Sequence, residues 1–387
     1  MGRGRSKRKA NQNTTTAVTV TDLPNHIICD ILSRLPLNSI FTCKRVCKIW
    51  RDLTLDPYFA KLHLSRSPLS IITYCNGTNT NNNSPSSSHF EIFLLDDPPV
   101  ISRPLSTMKF TAEIDFPYFG IQKVASCNGL ILLSNYSSEG DLVITVCNPL
   151  RGQHIVLPKP PKSPSHLYNL ELGHNPATDQ YKVLRLSHTY HPTRLYIDIY
   201  TIGIDDEWRS IRDMGQPPAF IFPNFVFLNG ALHCIGHENV RFIYSFDIEK
   251  EQFGSFPLPS HFGDSFEFLG VVDNRLCIYS EYSLHGWEIW SMNKYGDFGS
   301  WTLEWVIDGP NACGFDGCFK PLKMLKDGSL LIMFSNSRSE IKGKKTTLAS
   351  YNPQTQVLKK IKYRGTLPWR TSVACVPCFF SPMDALK

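Results

Sequence analysis

The chain has 387 residues, of which 42% are hydrophobic, 12% aromatic and only 19% charged, so wholesale disorder and a coiled coil are excluded and there is room for about two to three domains with a sizeable core. Its 27 Pro and 24 Gly are scattered rather than tandem, which excludes collagen and describes many short strands joined by tight turns. The formal charge is +6, and Arg3, Arg5, Lys7, Arg8 and Lys9 supply most of it, so the remainder has no basic face with which to hold nucleic acid. No run approaches the ~18 apolar residues of a membrane span, and no apolar signal segment follows the basic start. The twelve cysteines are spread widely, as free thiols in a reducing compartment would be.

Residues 1–20 are basic and then Asn/Thr-rich, without apolar periodicity, and are expected to be a disordered tail. Arg5, Lys7, Arg8 and Lys9 form a short basic run of the nuclear-import kind, which suggests the nucleus, the cytoplasm or both. The rival is N-myristoylation, because Met1 to Ser6 fits M-G-x-x-x-[ST]. Arg3 beside Gly2 argues against acylation. A third reading is a tail that only solubilises.

Residues 21–65 are helical in pattern. Ile27, Ile28, Ile31, Leu32 and Leu35 recur at helical spacing. Asp22 is placed to cap the start, Pro24 suits a first turn, and Pro36 ends the element. Asn38 or Ser39 is placed to cap a second helix, whose stripe is Ile40, Cys43, Cys47 and Trp50 with Val46 and Leu53 beside it. Asp56-Pro57 then breaks the chain. About 45 residues bury too little surface to be secure alone, so this unit is expected to be stabilised by a partner.

From residue 68 the pattern is β, with an Asn/Ser/Thr-rich segment at 76–88 expected to be a disordered loop. A turn rich in Gly and Asn then leads an apolar strand again and again. The instances are Cys127-Asn128-Gly129-Leu130, Tyr181-Lys182-Val183, Asn229-Gly230-Ala231-Leu232, Asp273-Asn274-Arg275-Leu276 and Asp327-Gly328-Ser329-Leu330. The period is roughly 50 residues, near that of four-stranded propeller blades. Phe242, Tyr244, Phe246 and Ile248 are expected on one strand face, and Trp301, Leu303, Trp305 and Ile307 on another. Strands near 69–75 and 90–95, joined by Ser372 to Phe380, would make a sixth blade and close the ring, removing exposed edges. The count is six blades, with five or seven as alternatives and an open sandwich as the rival architecture.

Leu23-Pro24, Ile31-Leu32-Ser33-Arg34-Leu35-Pro36, Val46-Cys47-Lys48-Ile49-Trp50 and Asp56-Pro57-Tyr58-Phe59 closely resemble an F-box. The β region resembles the plant F-box-associated interaction domain. It does so through Ser126-Cys127-Asn128-Gly129-Leu130, Asn148-Pro149, Tyr181-Lys182-Val183, Asn229-Gly230-Ala231-Leu232-His233, Ser245-Phe246-Asp247 and Glu288-Ile289-Trp290-Ser291-Met292. Gly173-His174 departs from the glycine-aromatic pair common in that family, and 76–88 is a long insertion. The resemblance implies F-box helices at 21–65 and a mainly β, six-bladed propeller-like domain at 68–387. It implies a non-enzymatic substrate receptor of a Skp–cullin–F-box ubiquitin ligase, which docks on a Skp-type adaptor, and through it a cullin, while the β domain captures a target protein. Such a receptor acts by proximity. The alternative is a propeller interaction protein that no longer joins a ligase.

The adaptor-binding candidates are Leu23, Pro24, Ile27, Ile28, Ile31, Leu32, Leu35, Pro36, Val46, Cys47, Trp50 and Leu53. Some of these contact the adaptor and others pack beneath, and the pattern alone does not separate the two roles. For the target, loop aromatics and neighbouring polar residues are the candidates: Tyr190, His191, Phe220, Phe222, Trp287 and Trp369. Cys375 and Cys378 have zinc-like spacing with Cys313 and Cys318 upstream. The upstream pair is five apart and Cys375 sits in a strand-like run, so core thiols are expected, with no metal and no cofactor. No G-x-S-x-G, P-loop, H-E-x-x-H or G-x-G-x-x-G is present, so an enzyme ranks third.

Overall fold

The recurring turn-and-strand unit resolves into six antiparallel sheets of four strands. The structure, a computed structural model, describes residues 23–75, 89–95, 103–111, 123–162, 168–190, 193–211, 225–237, 241–259, 267–283, 286–307, 318–335, 346–365, 367–368 and 371–384. The tail 1–20, with Arg5, Lys7, Arg8 and Lys9, lies outside these residues, as do Asp22 and the segment 76–88.

Four helices come first: α1 (Asn25–Ser33), α2 (Leu37–Cys43), α3 (Lys48–Leu53) and α4 (Pro57–Leu64). They differ from the expectation at three points. The second stripe is two helices, because Cys47 turns extended (φ −153°) and its sulfur accepts from the Trp50 amide at 3.5 Å. Neither Asn38 nor Ser39 caps α2; Pro36 holds that position, as Pro24 does for α1. Asp56-Pro57 starts a helix rather than breaking the chain. The Asp56 carboxylate accepts from the Tyr58 amide at 2.7 Å, and Pro57 occupies the first turn, where its missing N–H costs nothing.

The remaining blades follow in chain order. Blade 2 is β4 (Lys123–Cys127), β5 (Leu130–Tyr136), β6 (Leu142–Asn148) and β7 (Gln153–Val156). Blade 3 is β8 (Tyr168–Asn175), β9 (Gln180–Tyr190), β10 (Thr193–Thr201) and β11 (Arg209–Ile211). Blade 4 is β12 (Val226–Leu228), β13 (Ala231–His237), β14 (Arg241–Asp247) and β15 (Gln252–Pro257). Blade 5 is β16 (Glu267–Val272), β17 (Arg275–Ser283), β18 (Gly286–Met292) and β19 (Trp301–Ile307). Blade 6 is β20 (Cys318–Met324), β21 (Leu330–Ser335), β22 (Thr346–Asn352) and β23 (Val357–Ile361). Blade 1 combines the two ends of the chain. The last strand, β24 (Ser372–Cys375), pairs with β1 (Ser70–Cys75), followed by β2 (His89–Leu94) and β3 (Ser106–Thr111). The six-blade ring is thus closed, as expected, by hydrogen bonds between distant parts of the chain, and no blade is left as an open edge of the ring.

Left-handed turns set the blade repeat. Asn128 and Gly129 have φ of 48° and 78°, Asn229 and Gly230 have 50° and 76°, and Asp273 and Asn274 have 47° and 62°. These are the conformations that tight two-residue hairpins require. Gly129 is also fixed by space, since a Cβ there would lie 2.6 Å from the Cys378 sulfur. Across that contact the Cys378 thiol donates to the Asn128 carbonyl at 2.6 Å, and Asn148 donates to the carbonyls of Cys378 (2.9 Å) and Phe380 (2.6 Å). The segment after β24 is thereby fastened to blade 2.

One expected strand face is corrected. A bulge in the β18–β19 pairing sets Ile289 opposite Trp305 but the adjacent Trp290 opposite Leu303. The extra residue, Glu304, reverses the alternation. Trp305 and Ile307 consequently pack toward blade 6, Trp301 packs toward blade 4, and Leu303 is exposed.

The helices do not form a separate core. Ile28, Leu32, Ile40, Leu53 and Phe59 share one cluster with Ile131, Cys147 and Leu150 of blade 2, Ile72 and Phe90 of blade 1, and Phe379. The ring of Phe379 lies 5.5 Å from Phe59, 5.8 Å from Phe41 and 5.0 Å from His63. Part of the stabilisation expected from a partner therefore comes from the propeller of the same chain.

Candidate functional site

Antiparallel pairing gives the propeller two ends. The turns β6–β7 and β8–β9 lie at the helix end: Arg151 of the first reaches the Leu55 carbonyl at 3.2 Å, and Asp179 of the second pairs with Lys61 at 2.6 Å. The connections β5–β6, β7–β8 and β9–β10 lie at the far end.

At the helix end, the structure separates the adaptor candidates. Ile28, Leu32 and Leu53 are buried, and Leu23, Leu35, Cys47 and Trp50 are partly buried against the shared core or the helix turns. Pro24, Ile27, Ile31, Pro36 and Val46 face outward, with Ile31 44% and Val46 63% exposed. Ile27 and Ile31 are four residues apart on one side of α1, and Ile28 and Leu32 repeat that spacing about 100° around the helix. The helix is thus apolar on two sides, only one of which meets the propeller. Ile49, Leu55 and Tyr58 are also exposed and were missed by sequence reasoning. A search for the apolar stripe selects residues that face the core, and Ile49 lies off it although it sits inside the Val46–Trp50 motif. The end of α1 is held to the chain leaving α4. Arg66 donates to the Asp30 carboxylate and to the Ser33 hydroxyl, each at 2.6 Å, and Arg34 pairs with Asp30 at 3.0 Å. The Arg34 and Arg66 hydrogen bonds hold the Asp30 carboxyl down to about 2.

At the far end, the target candidates divide. Tyr190 ends β9 there. His191, Phe220, Phe222 and Trp369 lie outside the described residues. Trp287 is corrected: it is 3% exposed and stacks on Phe319 at 4.8 Å, between blades 5 and 6, so it is core rather than a loop contact. Along the axis, the innermost strands of all six blades line a channel of about 490 Å³, with Leu64 and Leu69 reaching it from the helix side. Glu171 and Lys320 are its charged lining groups, close enough to influence one another, and burial pulls the Lys320 ammonium down.

The cysteines of the zinc-like motif are buried. Burial pushes the Cys378 thiol up to about 12 and raises Cys375 as well, which opposes the thiolate a metal requires. Cys313 and the side chain of Cys318 lie outside the described residues. Among the described residues one group offers three donor atoms close together: Cys75, His89 and Glu91. Lys109 already faces the Glu91 carboxylate at 2.8 Å, so the charge there is balanced without a cation. No described helix is long and apolar enough to cross a membrane.

Comparison with known proteins agrees with this arrangement. The F-box domain family matches residues 20–62, and the F-box associated beta propeller domain family matches residues 91–378. The F-box protein At3g07870 of Arabidopsis thaliana is 25% identical over 405 residues, covering 94% of this chain and 93% of that protein. The F-box protein At3g20690 of the same plant is 26% identical over 357 residues, covering 85% and 89%. Among solved structures, TolB from Acinetobacter baumannii matches with a TM-score of 0.48 at 11% identity, over 85% of this chain and 73% of that one. That likeness is too distant to bear on function. An F-box joined to a propeller fits, in general terms, a substrate receptor of ligases of the Skp–cullin–F-box type, and implies an adaptor and a target as partners. The chain belongs to the F-box proteins that carry an F-box-associated β-propeller domain.

Proposed function

We propose that this protein is the substrate-recognition subunit of a Skp–cullin–F-box ubiquitin ligase and performs no bond chemistry itself. Its helices dock on a Skp-type adaptor, and the far end of the propeller holds a target protein. The observation that carries this reading is the set of exposed apolar side chains Ile27, Ile31, Val46 and Ile49, in a helical unit whose inward side is already committed to the propeller. Clustered exposed apolar side chains of this kind mark a protein interface, and each one fully buried by a partner contributes roughly 1.5–3 kcal/mol. In this reading Ile28, Leu32 and Leu53 hold the helices in shape beneath the contact, while Pro24, Leu35, Pro36 and Trp50 border it. The two ends of the ring then have separate tasks. A target at the far end is held to the adaptor through a rigid, closed body, so local concentration does the work. We assign the protein to the nucleus, the cytoplasm or both, on the basic run Arg5, Lys7, Arg8 and Lys9.

The test is co-purification of the full chain with a Skp-type adaptor, beside the double variant Ile31→Asp, Val46→Asp. Point substitutions suit this better than removing residues 21–65, since deletion would strip Phe379 and Leu150 of their cover. A one-to-one complex with the natural chain, lost in a variant that remains folded, is the expected result. A folded natural chain that binds no adaptor would leave a ligase-independent interaction protein instead.

A further inference from the structure

Between blades 2 and 3, at the far end, lies a pocket of about 250 Å³ that the preceding reading does not use. Its walls come from the end of β5, the β7–β8 connection, the start of β8 and the middle of β9. Tyr136 and Tyr168 form one side, their rings edge to face at 6.3 Å. Lys159, Lys162 and Arg185 bring three positive charges to the lining; Asp141 in the lining and Asp198 behind it balance two of them. Lys159 is paired with Asp141 at 2.6 Å, while Lys162 has no ion-pair partner among the described residues.

Arg185 is buried and rigidly held. Its Nε and Nη2 donate to Asp198 at 2.9 and 2.5 Å, and Nη2 also donates to the Pro161 carbonyl at 2.6 Å. Asp198 is held in turn by the Ser210 hydroxyl at 2.6 Å. Nη1 has no acceptor among the described residues. Beside it, the hydroxyls of Tyr168 and Ser187 are buried; that of Ser187 has no hydrogen-bond partner among the described residues, and that of Tyr168 adjoins the hydroxyls of Ser134 and Tyr136. Ser187 sits directly across the strand pair from Tyr168. Buried hydroxyls are ordinarily satisfied, and the unpartnered Ser187 hydroxyl, directly across from Tyr168, leaves a place for an acceptor at the pocket. The pocket offers donors in excess and has room for one polyatomic anion on a short stem, but not for a drug-sized molecule.

We propose that this pocket binds an oxyanion, a phosphate monoester by preference, using Arg185, Lys162 and the hydroxyls of Tyr168 and Ser187. Phosphate is favoured over carboxylate because its three terminal oxygens accept from more of these donors, and a guanidinium of fixed orientation suits it. The proposal deepens the target-capture reading, because the pocket lies at the end assigned to the target. It does not depend on ligase membership. The phosphate has two possible carriers, a side chain of the target protein or a small soluble ester.

The first probe is inorganic phosphate added to the purified full chain, with chloride at matched ionic strength as the control, followed by calorimetry and thermal unfolding. Saturable binding near one equivalent is expected. Tyr168→Phe keeps the ring and removes one donor, and Lys162→Gln changes an exposed side chain, so both variants should fold, and adaptor binding checks that they do. Each is expected to weaken phosphate binding by about tenfold. Two further arms separate the carriers. A phosphoserine peptide that binds at least about tenfold more tightly than free phosphoserine places the anion on a target chain, and equal binding places it on a small ester. Glutamate in place of phosphoserine tests the preference. No saturable binding beyond the chloride control, or binding indifferent to both substitutions, overturns the proposal. Adaptor binding that persists in either case shows that the ligase reading does not fall with it.

Discussion

The helices and the propeller spend the same kind of side chain in opposite ways. In the propeller each blade covers its neighbour and the ring is closed by β24 against β1, so the apolar faces are satisfied from within. The helices satisfy only one side. Six of the fifteen large apolar residues exposed among the described residues, Ile27 to Tyr58, fall in this one short stretch. A scattered exposed apolar residue on the blades needs no explanation, whereas a cluster on a unit already docked on its inner side indicates a second docking on its outer side. Which residues meet the partner therefore follows from which side the propeller has taken, and hydrophobicity alone does not reveal it.

The sharpest way to break the comparison is to cut the joint. Phe379 is fully buried and touches the rings of Phe41, Phe59 and His63 from the propeller side. Phe379→Ala removes a large, fully buried shared side chain, and a loss of about 3–5 kcal/mol is expected in urea unfolding. Helical signal should be lost before the β signal, turning one cooperative transition into two. A loss below about 1 kcal/mol with a single transition would mean that the helices hold together without the propeller.

The outer face gives the next largest effect, in binding rather than stability. Ile31→Asp with Val46→Asp should weaken adaptor binding by about a hundredfold, some 2.7 kcal/mol, while each change moves stability by no more than about 0.5 kcal/mol. Leu32→Asp, one residue from Ile31 but facing the core, should prevent folding instead. If the double variant and Leu32→Asp behaved alike, the division of α1 into an inner and an outer side would be wrong.

Local patterns in the sequence were enough to anticipate the ring. The Asn-Gly and Asp-Asn turns announce blades 2, 4 and 5 because only certain residues tolerate positive φ there, and Ser372 onward pairs with β1 as the closure argument requires. The β18–β19 bulge was not legible, since nothing in Trp301 to Ile307 marks Glu304 as the extra residue. Asp56-Pro57 carried a helix start and was taken for a stop, because the same pair serves both. The adaptor residues were identifiable as a set but not as inner and outer members, and Trp287 was misplaced for the same reason: periodicity specifies a face and does not say what covers it. The anion pocket was not visible at all. Its proposed donors stand at 162, 168, 185 and 187, and only folding brings them together.

Acidity tests both regions at once, since each holds one buried neutral histidine. His63 lies at the joint and His233 in blade 4, and burial pulls each imidazole down to about 4 from an ordinary 6.5. Their Nδ1 atoms have no partner. Below pH 6.5 the unfolded chain takes up these protons and the folded chain does not until near pH 4. Stability that is complete above pH 6.5 should therefore decline between 6.5 and 4, by up to about 3 kcal/mol for each ring. His63→Phe should flatten that decline for the helical signal and leave the His233 share in the β signal. An unchanged slope would mean that His63 is not held neutral by its burial at the joint.

The smallest effect concerns an ion pair that ties the helices to blade 3. Lys61 and Asp179 meet at 2.6 Å with more than half of each side chain in water, so Lys61→Gln should cost at most about 1 kcal/mol, and salt should erase even that. Asp179→Asn should cost somewhat more, because the same carboxylate also faces His174 at 3.1 Å. The two substitutions together should cost little more than Asp179→Asn alone, since one interaction cannot be lost twice. Adaptor binding should be unaffected throughout: the helices are oriented by Phe379 and the shared core, and an exposed ion pair at their margin adds fit without setting direction. A marked loss of adaptor binding in Lys61→Gln would show the reverse, that the seat of the helices on the ring is electrostatic and the buried rings merely fill it.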